Sequence, residues 1–157
     1  MNKKKIHAVI LARGGSKGIK NKNLILINGK PLIYWSIKNC LKSGKISSTW
    51  VSSDNKKILN LAKKFGAKII IRPKYLASDK ASSDNAWLHA VKYIEKLDKI
   101  DIIVGVQPTS PIRSKFDFDK AIGKFIKGKF NSMFSASNFE TFFTWQIEKN
   151  KTTPNYN

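Results

Sequence analysis

Two hydrophobic patterns alternate along this chain. Short apolar-rich runs are typical of strands buried on both faces, and they occur at residues 6–12, 48–53, 68–71, 101–107 and 132–136. Apolar residues that recur every three or four positions indicate amphipathic helices, and such segments lie between the strands at 31–44, 55–66, 83–97 and 116–127. This alternation predicts an α/β fold: a three-layer, Rossmann-like, mostly parallel sheet with helices on both faces.

Polar motifs follow four of the predicted strands directly. They occupy residues 13–23, 53–54, 72–84 and 107–113. The carboxyl ends of parallel strands meet at one edge of a sheet, and ligands bind outside that edge. We therefore expect the four motifs to converge on one site. Asp54 or Asn55 can also cap the second helix, because both residue types accept hydrogen bonds from free amides at a helix start.

The first of these motifs is rich in glycine and in positive charge. Gly14 and Gly15 allow a positive φ and bring backbone amides close to a ligand, while Arg13, Lys17, Lys20 and Lys22 supply charge. The spacing fits neither the Walker loop nor the dinucleotide fingerprint. The loop is a candidate polyphosphate-binding site, although a solvated turn that binds nothing can have the same composition.

Composition narrows the choice of partners. The chain has 157 residues, of which 41% are hydrophobic, and this suits one domain over residues 1–157. The net charge of +20 is carried by 30 basic residues, of which only Arg13, Arg72 and Arg113 are arginine. Because the lysines are spread over the predicted helices and loops, we expect a solvated surface and no nucleic-acid partner, with a basic nucleic-acid binder as a minor alternative.

Arginine recognises carboxylate and phosphate by a planar fork of donors, so the three arginines are candidate binding residues.

Cysteine usage and apolar run length bear on the compartment. Cys40 is the single cysteine, which excludes an internal disulfide, favours a reducing compartment and suits a packing role. His7 and His89 are too scattered for a histidine metal site, and we interpret both as structural. No apolar stretch approaches the roughly 20 residues that span a bilayer. We therefore expect a cytoplasmic protein with no membrane partner.

The last segment of the chain carries aromatic residues into a possible strand and then turns polar. A hydrophobic element without a partner suggests that a C-terminal portion of the domain is missing. The alternative is a short, self-contained form with a frayed tail.

Taken in order, the motifs resemble the acylneuraminate cytidylyltransferase (CMP-N-acetylneuraminic acid synthetase) family, which includes enzymes acting on legionaminic and pseudaminic acid. The resemblance rests on ILARGGSKGIKNKNL with NGKPLI, on VSSD, on RPKYLASDKASS and on VQPTSPIR. Enzymes that activate 3-deoxy-manno-octulosonate typically carry QGDEP where this chain has VQPTSP at 106–111, so that function is a weaker alternative. The exact sugar stays open.

The resemblance implies a nucleotidyltransferase in which the anomeric hydroxyl of a sialic-type (nonulosonic) acid attacks the α-phosphate of CTP and releases pyrophosphate. Arg13 and Lys22 would be catalytic. The implied nucleotide-binding positions are Leu11, Ala12, Arg13, Gly14, Gly15, Ser16, Lys22, Asn23, Arg72 and Ser83. The implied sugar-acid positions are Gln107, Thr109 and Ser110.

The resemblance also implies Mg²⁺ as cofactor and a homodimer for the full-length protein. The family's metal-binding aspartates lie beyond residue 157, so the metal ligands are unknown here and we expect the 157 residues alone to be weak or inactive. A nucleotide-binding module without catalysis is the alternative from another class. Asp54 could cap a helix or assist the metal or nucleotide, and Arg113 could hold its loop or meet a charge.

Overall fold

The computed structural model describes residues 4–16, 18–78, 81–114, 116–136, 145–148 and 151–154. The chain divides into two compact units, Met1–Lys124 and Phe125–Asn157, which are described separately. In chain order the elements are β1 (Ile6–Leu11), β2 (Leu26–Ile27), β3 (Lys30–Pro31), α1 (Leu32–Leu41), β4 (Ser48–Ser53), α2 (Lys56–Lys64), β5 (Lys68–Ile71), α3 (Ser83–Glu95), β6 (Ile102–Val106), α4 (Asp117–Lys127), β7 (Trp145–Glu148) and β8 (Lys151–Pro154).

The first unit is built on a four-stranded sheet in the order β5-β4-β1-β6. All three strand pairs are parallel, as the apolar runs predict. The short β2 and β3 form a separate antiparallel pair. Because β1 lies between β4 and β6, the loop that follows it emerges in the middle of the sheet edge.

Apolar side chains cover both faces of this sheet. Ala8 and Ile10 of β1 pack with Ile37 of α1 and Ile58 of α2 in one buried cluster. Val9, which points to the opposite face, packs with Ala90 and Ile94 of α3 in a second cluster. Successive side chains of a strand alternate between faces, and both faces of β1 are apolar. The predicted three-layer arrangement is therefore confirmed.

The start of α2 decides between the two residues predicted to cap it. The Asn55 side chain accepts hydrogen bonds from the amides of Lys57 (2.9 Å) and Ile58 (3.3 Å). Asn55 is the N-cap, so the interpretation of Asp54 as a helix cap is wrong. At the other end of α2, Gly66 has a φ of 89°, a left-handed conformation that favours glycine after a helix.

The predicted strand at 132–136 is wrong. These residues are irregular and exposed in the structure. A strand is held by ladder hydrogen bonds to a neighbour, and an apolar-rich run in the sequence cannot show whether a neighbour is available. In the second unit, β7 and β8 instead pair antiparallel, from Trp145 opposite Pro154 to Glu148 opposite Lys151. The strand that contains Trp145 thus pairs with Lys151–Pro154.

Cys40 is completely buried. Burial raises the pKa of its thiol to about 12, and the charge of Arg113 opposes this only in part. The thiol stays protonated at neutral pH, and the predicted packing role is confirmed. None of the described helices is long and apolar enough to cross a membrane.

Asp119 of α4 fastens the connection between α1 and β4. Its carboxylate accepts hydrogen bonds from the Ser43 hydroxyl and from the amides of Gly44 and Lys45, both at 3.2 Å. The Ser43 hydroxyl contributes most to holding the pKa of Asp119 below its ordinary value of 3.8; burial opposes this, and the two amides add to the lowering.

Asp119→Ala is expected to lower the free energy of unfolding by about 1–2 kcal/mol at pH 7, because three donors lose an ionised acceptor. A carboxyl group whose pKa is lowered by folding stabilises the fold above its unfolded pKa. This contribution is lost as the pH falls through the folded pKa. Urea unfolding at pH 7 and pH 3 measures the effect, and a wild-type advantage that is undiminished at pH 3 would contradict it.

Candidate functional site

An open cleft lies at the carboxyl edge of the parallel sheet. Its volume is about 270 Å³, close to the lower end of the roughly 300–1,000 Å³ found for small-molecule sites. It is lined by the loops after β1, β5 and β6 and by the start of α3. The lining residues are Leu11, Arg13, Ser16, Lys22, Asn23, Arg72, Leu76, Ala77, Ser78, Ala81, Ser82, Ser83, Ala86, Gln107, Pro108 and Thr109.

Most of the residues that the sequence predicted for the site lie along this cleft. Four do not: Ala12, Gly14, Gly15 and Ser110. Ala12 is completely buried, and its amide donates to the Ser52 carbonyl at 3.0 Å. It therefore packs beneath the cleft, extending the β1–β4 ladder by one hydrogen bond.

Asn23 connects the two ends of the first loop, residues 12–24. It lies in a short 3₁₀ turn, Lys22–Leu24, and its side-chain amide donates to the Arg13 carbonyl at 3.0 Å. The Asn23 side-chain oxygen is buried and has no hydrogen-bond partner among the described residues. Since buried polar atoms are rarely left unpaired, this oxygen is an unused acceptor on a residue that lines the cleft.

Gly14 is required for a different reason from the one predicted. The described glycines with positive φ are Gly29 and Gly66, so the prediction of positive φ at Gly14 and Gly15 is wrong. A Cβ atom on Gly14 would instead lie 2.8 Å from the Cβ of Asn55. The loop passes so close to the β4–α2 corner that a side chain at position 14 has no room.

Arg72 brings a buried cation to the cleft. It is 6% exposed and donates from Nη2 to the Ser52 carbonyl at 3.0 Å, while its buried Nε has no partner among the described residues. Burial is the main cause that lowers the pKa of Arg72; the Asp54 carboxylate raises it and the Arg13 cation lowers it further. An arginine pKa starts high enough for the group to remain charged at neutral pH, so Arg72 is a cation with a donor to spare.

The segment that precedes α3 adds two serines that the sequence reasoning missed. Ser82 is the N-cap of this helix, and its hydroxyl accepts from the Asp84 amide at 3.0 Å. Ser82 and Ser78 line the cleft beside the predicted Ser83. A serine just before an amphipathic pattern is a helix-start signal, so Ser82 could have been found from the sequence; Ser78 had no comparable signal.

The charges along the cleft have one sign. Arg13, Lys22 and Arg72 line it, and none of the described lining residues is acidic. The N-terminus of α3 adds the positive end of a helix dipole. This arrangement favours a polyanion, and the neutral amide and hydroxyl groups beside it can orient uncharged parts of the same ligand.

Comparison with known proteins agrees with this geometry. A family model described as "Cytidylyltransferase" matches residues 7–150. The chain belongs to the cytidylyltransferase family.

Two relatives have names that specify a sugar acid. The chain is 40% identical over 134 residues to the pseudaminic acid cytidylyltransferase of Campylobacter jejuni subsp. jejuni serotype O:23/36 (strain 81-176), covering 84% of this chain and 58% of that protein. It is 37% identical over 148 residues to the N-acylneuraminate cytidylyltransferase of Oncorhynchus mykiss, covering 94% of this chain and 33% of that protein. The chain therefore spans between a third and three fifths of the length of these relatives.

Among solved structures, the fold is similar to CMP:2-keto-3-deoxy-manno-octonic acid synthetase in complex with CTP. The TM-score is 0.66 at 25% sequence identity, with 80% of this chain and 48% of that chain covered. The predicted family and fold class are both confirmed.

Two residues whose roles the sequence left open have defined contacts in the structure. Asp54 lies outside the cleft lining and accepts a hydrogen bond from the Gly14 amide at 2.9 Å. Arg113 donates from Nη1 to the Ser110 carbonyl and lies 5.3 Å from the centre of the Phe118 ring. Asn39 of α1 supports the same loop by donating to the Pro111 carbonyl at 3.1 Å. Arg113 thus holds the loop after β6, whereas Arg13 and Arg72 face the ligand space.

The described residues do not fit a magnesium site. No group of three or more His, Cys, Asp or Glu side chains lies close enough together, within the described ranges, to hold a metal ion. Mg²⁺ prefers oxygen ligands, carboxylates above all, and the Asp54 carboxylate already accepts a hydrogen bond from the Gly14 amide. We therefore assign no catalytic step to a metal held by the described residues.

Proposed function

We propose that this cytidylyltransferase transfers CMP from CTP to a nonulosonic, sialic-type sugar acid and releases pyrophosphate. The observation that carries the proposal is the cleft with Arg13, Lys22 and Arg72 on its walls and no acidic residue among its described lining. The names of the relatives, pseudaminic acid and N-acylneuraminate cytidylyltransferase, support the sugar-acid class.

In the proposed reaction, the anomeric hydroxyl oxygen of the sugar acid forms a bond to the α-phosphorus of CTP. The bond from that phosphorus to the oxygen bridging to the β-phosphate breaks, the hydroxyl proton is lost, and pyrophosphate leaves. Such reactions depend mainly on positioning and on neutralising charge. Arg13 and Lys22 are assigned to the triphosphate, where their charge would stabilise the leaving pyrophosphate.

The remaining assignments divide the cleft between the two substrates. Arg72 and Ser83 are assigned to the cytidine side. Gln107 and Thr109 are placed on the sugar-acid side, on the loop that Arg113 holds. Magnesium as cofactor and a homodimeric full-length protein complete the proposal, and their ligands and contacts are not assigned to the described residues.

Calorimetry with CTP, with and without Mg²⁺, is the first test of this function. We expect CTP to bind more tightly than CMP, because three cationic side chains line the cleft. Product formation by the full-length protein is then followed with CTP, Mg²⁺ and N-acetylneuraminic, legionaminic or pseudaminic acid, and the CMP-sugar is detected by chromatography.

The outcomes distinguish the candidates. A CMP-sugar from at least one acid supports the proposal, and the preferred acid identifies the substrate. CTP binding with no product from any acid would identify a nucleotide-binding module. Failure to bind CTP at all would contradict both.

A further inference from the structure

The Asp54 carboxylate lies near a cleft whose charged lining residues are cationic, which is an unexpected position for an acid. It lies close enough to Arg72 to raise the pKa of that residue, beside a cleft whose cations suit an anionic ligand. A negative charge there works against phosphate binding unless it has another use. The structure shows one use, the hydrogen bond from the Gly14 amide at 2.9 Å.

This hydrogen bond links the segments that follow two paired parallel strands, β1 and β4, and a side chain provides the acceptor. The β1–β4 register runs to Leu11 opposite Ser52, and the Ala12 amide donates to the Ser52 carbonyl at 3.0 Å. Further along both segments, the Asp54 carboxylate accepts a hydrogen bond from the Gly14 amide. Asp54 thus adds a side-chain anchor for the first loop beyond the end of the β1–β4 register.

The chain on both sides of Gly14 reaches the ligand space. Arg13 and Ser16 line the cleft, whereas Gly14 and Asp54 do not. A Cβ on Gly14 would meet Asn55 at 2.8 Å, so the loop is pressed against the same corner that carries Asp54. A contact at Gly14 therefore determines where the Arg13 and Ser16 side chains can point.

We propose that Asp54 is a positioning residue for nucleotide triphosphate binding. It anchors the Gly14 amide and so holds the first loop in the conformation in which Arg13 and Ser16 face the phosphates. The proposal rests on the proposed function, since it assigns the phosphates of CTP to that loop. Asp54 itself touches neither substrate. Its effect is on the phosphate end of the nucleotide and not on the base.

The test compares Asp54→Ala with Asp54→Asn. Alanine removes the acceptor, whereas the asparagine side-chain oxygen can still accept from Gly14. We expect Asp54→Ala to weaken CTP binding at least 10-fold and CMP binding by no more than threefold, and we expect Asp54→Asn to stay within threefold of wild type for both. Calorimetric Kd values give the comparison, and amide hydrogen exchange followed by NMR should show faster exchange at Gly14 in Asp54→Ala only.

Asp119→Ala is the matched control. Asp119 is also a carboxylate that accepts backbone amides and fastens a loop, but it lies outside the cleft lining. It should lower the melting temperature without changing either Kd. If Asp54→Ala fails to fold, Asp54→Ser replaces it, because the shorter hydroxyl cannot reach Gly14.

Three results would overturn the proposal: an unchanged CTP affinity in Asp54→Ala, an equal loss for CTP and CMP, or an Asp54→Asn variant as weak as alanine. Wild-type protein that binds no CTP would refute the proposed function instead. In that case the Gly14 exchange rate still decides whether Asp54 anchors the loop.

Discussion

Replacing Arg13 by alanine is expected to weaken CTP binding by about 100-fold. Arg13 lines the cleft at the end of β1, where its guanidinium can donate two parallel hydrogen bonds to a phosphate. A net contribution of about 1.5–3 kcal/mol is typical of a hydrogen-bonding contact to a charged group, and about 2.7 kcal/mol for the whole contact corresponds to 100-fold in Kd. Calorimetry on the variant measures the loss directly.

Lys22→Ala is expected to act in the same direction with a smaller effect, about 10-fold or more, because an ammonium group is a point charge without the planar fork. Both side chains are only partly buried, so the melting temperature should change little. Lys42→Ala is the matched control, since Lys42 is an exposed lysine outside the cleft lining. If Arg13→Ala and Lys22→Ala both keep full affinity, the site is misplaced.

Ile10→Ala is expected to cost about 2–5 kcal/mol of the free energy of unfolding. Ile10 is completely buried in the central strand, opposite Val51 on one side and Val106 on the other. Its truncation leaves a cavity between a sheet and the helices packed on it, and close-packed neighbours collapse into such a space only in part. Urea unfolding followed by circular dichroism gives the difference.

A second isoleucine in the same sheet provides the comparison for Ile10. Ile71 ends β5 and is 72% exposed, so Ile71→Ala should change the stability by no more than about 0.5 kcal/mol. The two substitutions delete the same atoms from the same sheet and differ in burial. An equal loss at both positions would mean that packing against Ile10 is not what stabilises the sheet.

The strands and helices of the first unit could be predicted because their signals are local and agree with one another. The run from Ala8 to Ala12 is apolar at every position, as a strand covered on both faces must be. Asn55 and Gly66 mark the start and end of α2 at the positions where free amides and a left-handed residue occur. The strand at 132–136 failed because its stability depends on a neighbour elsewhere in the chain.

Much of the candidate site could be predicted for a similar reason. In a parallel sheet the carboxyl ends of all strands share one edge, so polar motifs after successive strands are brought together by the topology alone. Arg13, Arg72 and Gln107 were placed in this way, and all three line the cleft. Roles that depend on a distance of a few ångströms could not be inferred, as Asp54 and Gly14 illustrate.

The sequence by itself determined the four strands of the main sheet and the helices between them, and it placed the candidate phosphate-binding residues at one edge of that sheet, because each follows from local periodicity, residue chemistry and parallel topology. Only the tertiary structure decided that Asp54 anchors Gly14 while Asn55 caps α2, that Gly14 is glycine for lack of space, and that Arg113 holds a loop while Arg72 faces the cleft. The contacts of Gly14 with Asp54 and with Asn55 join segments that lie about 40 residues apart in the chain. Such contacts form when the sheet assembles, and hydrophobic periodicity carries no information about which polar atoms then meet.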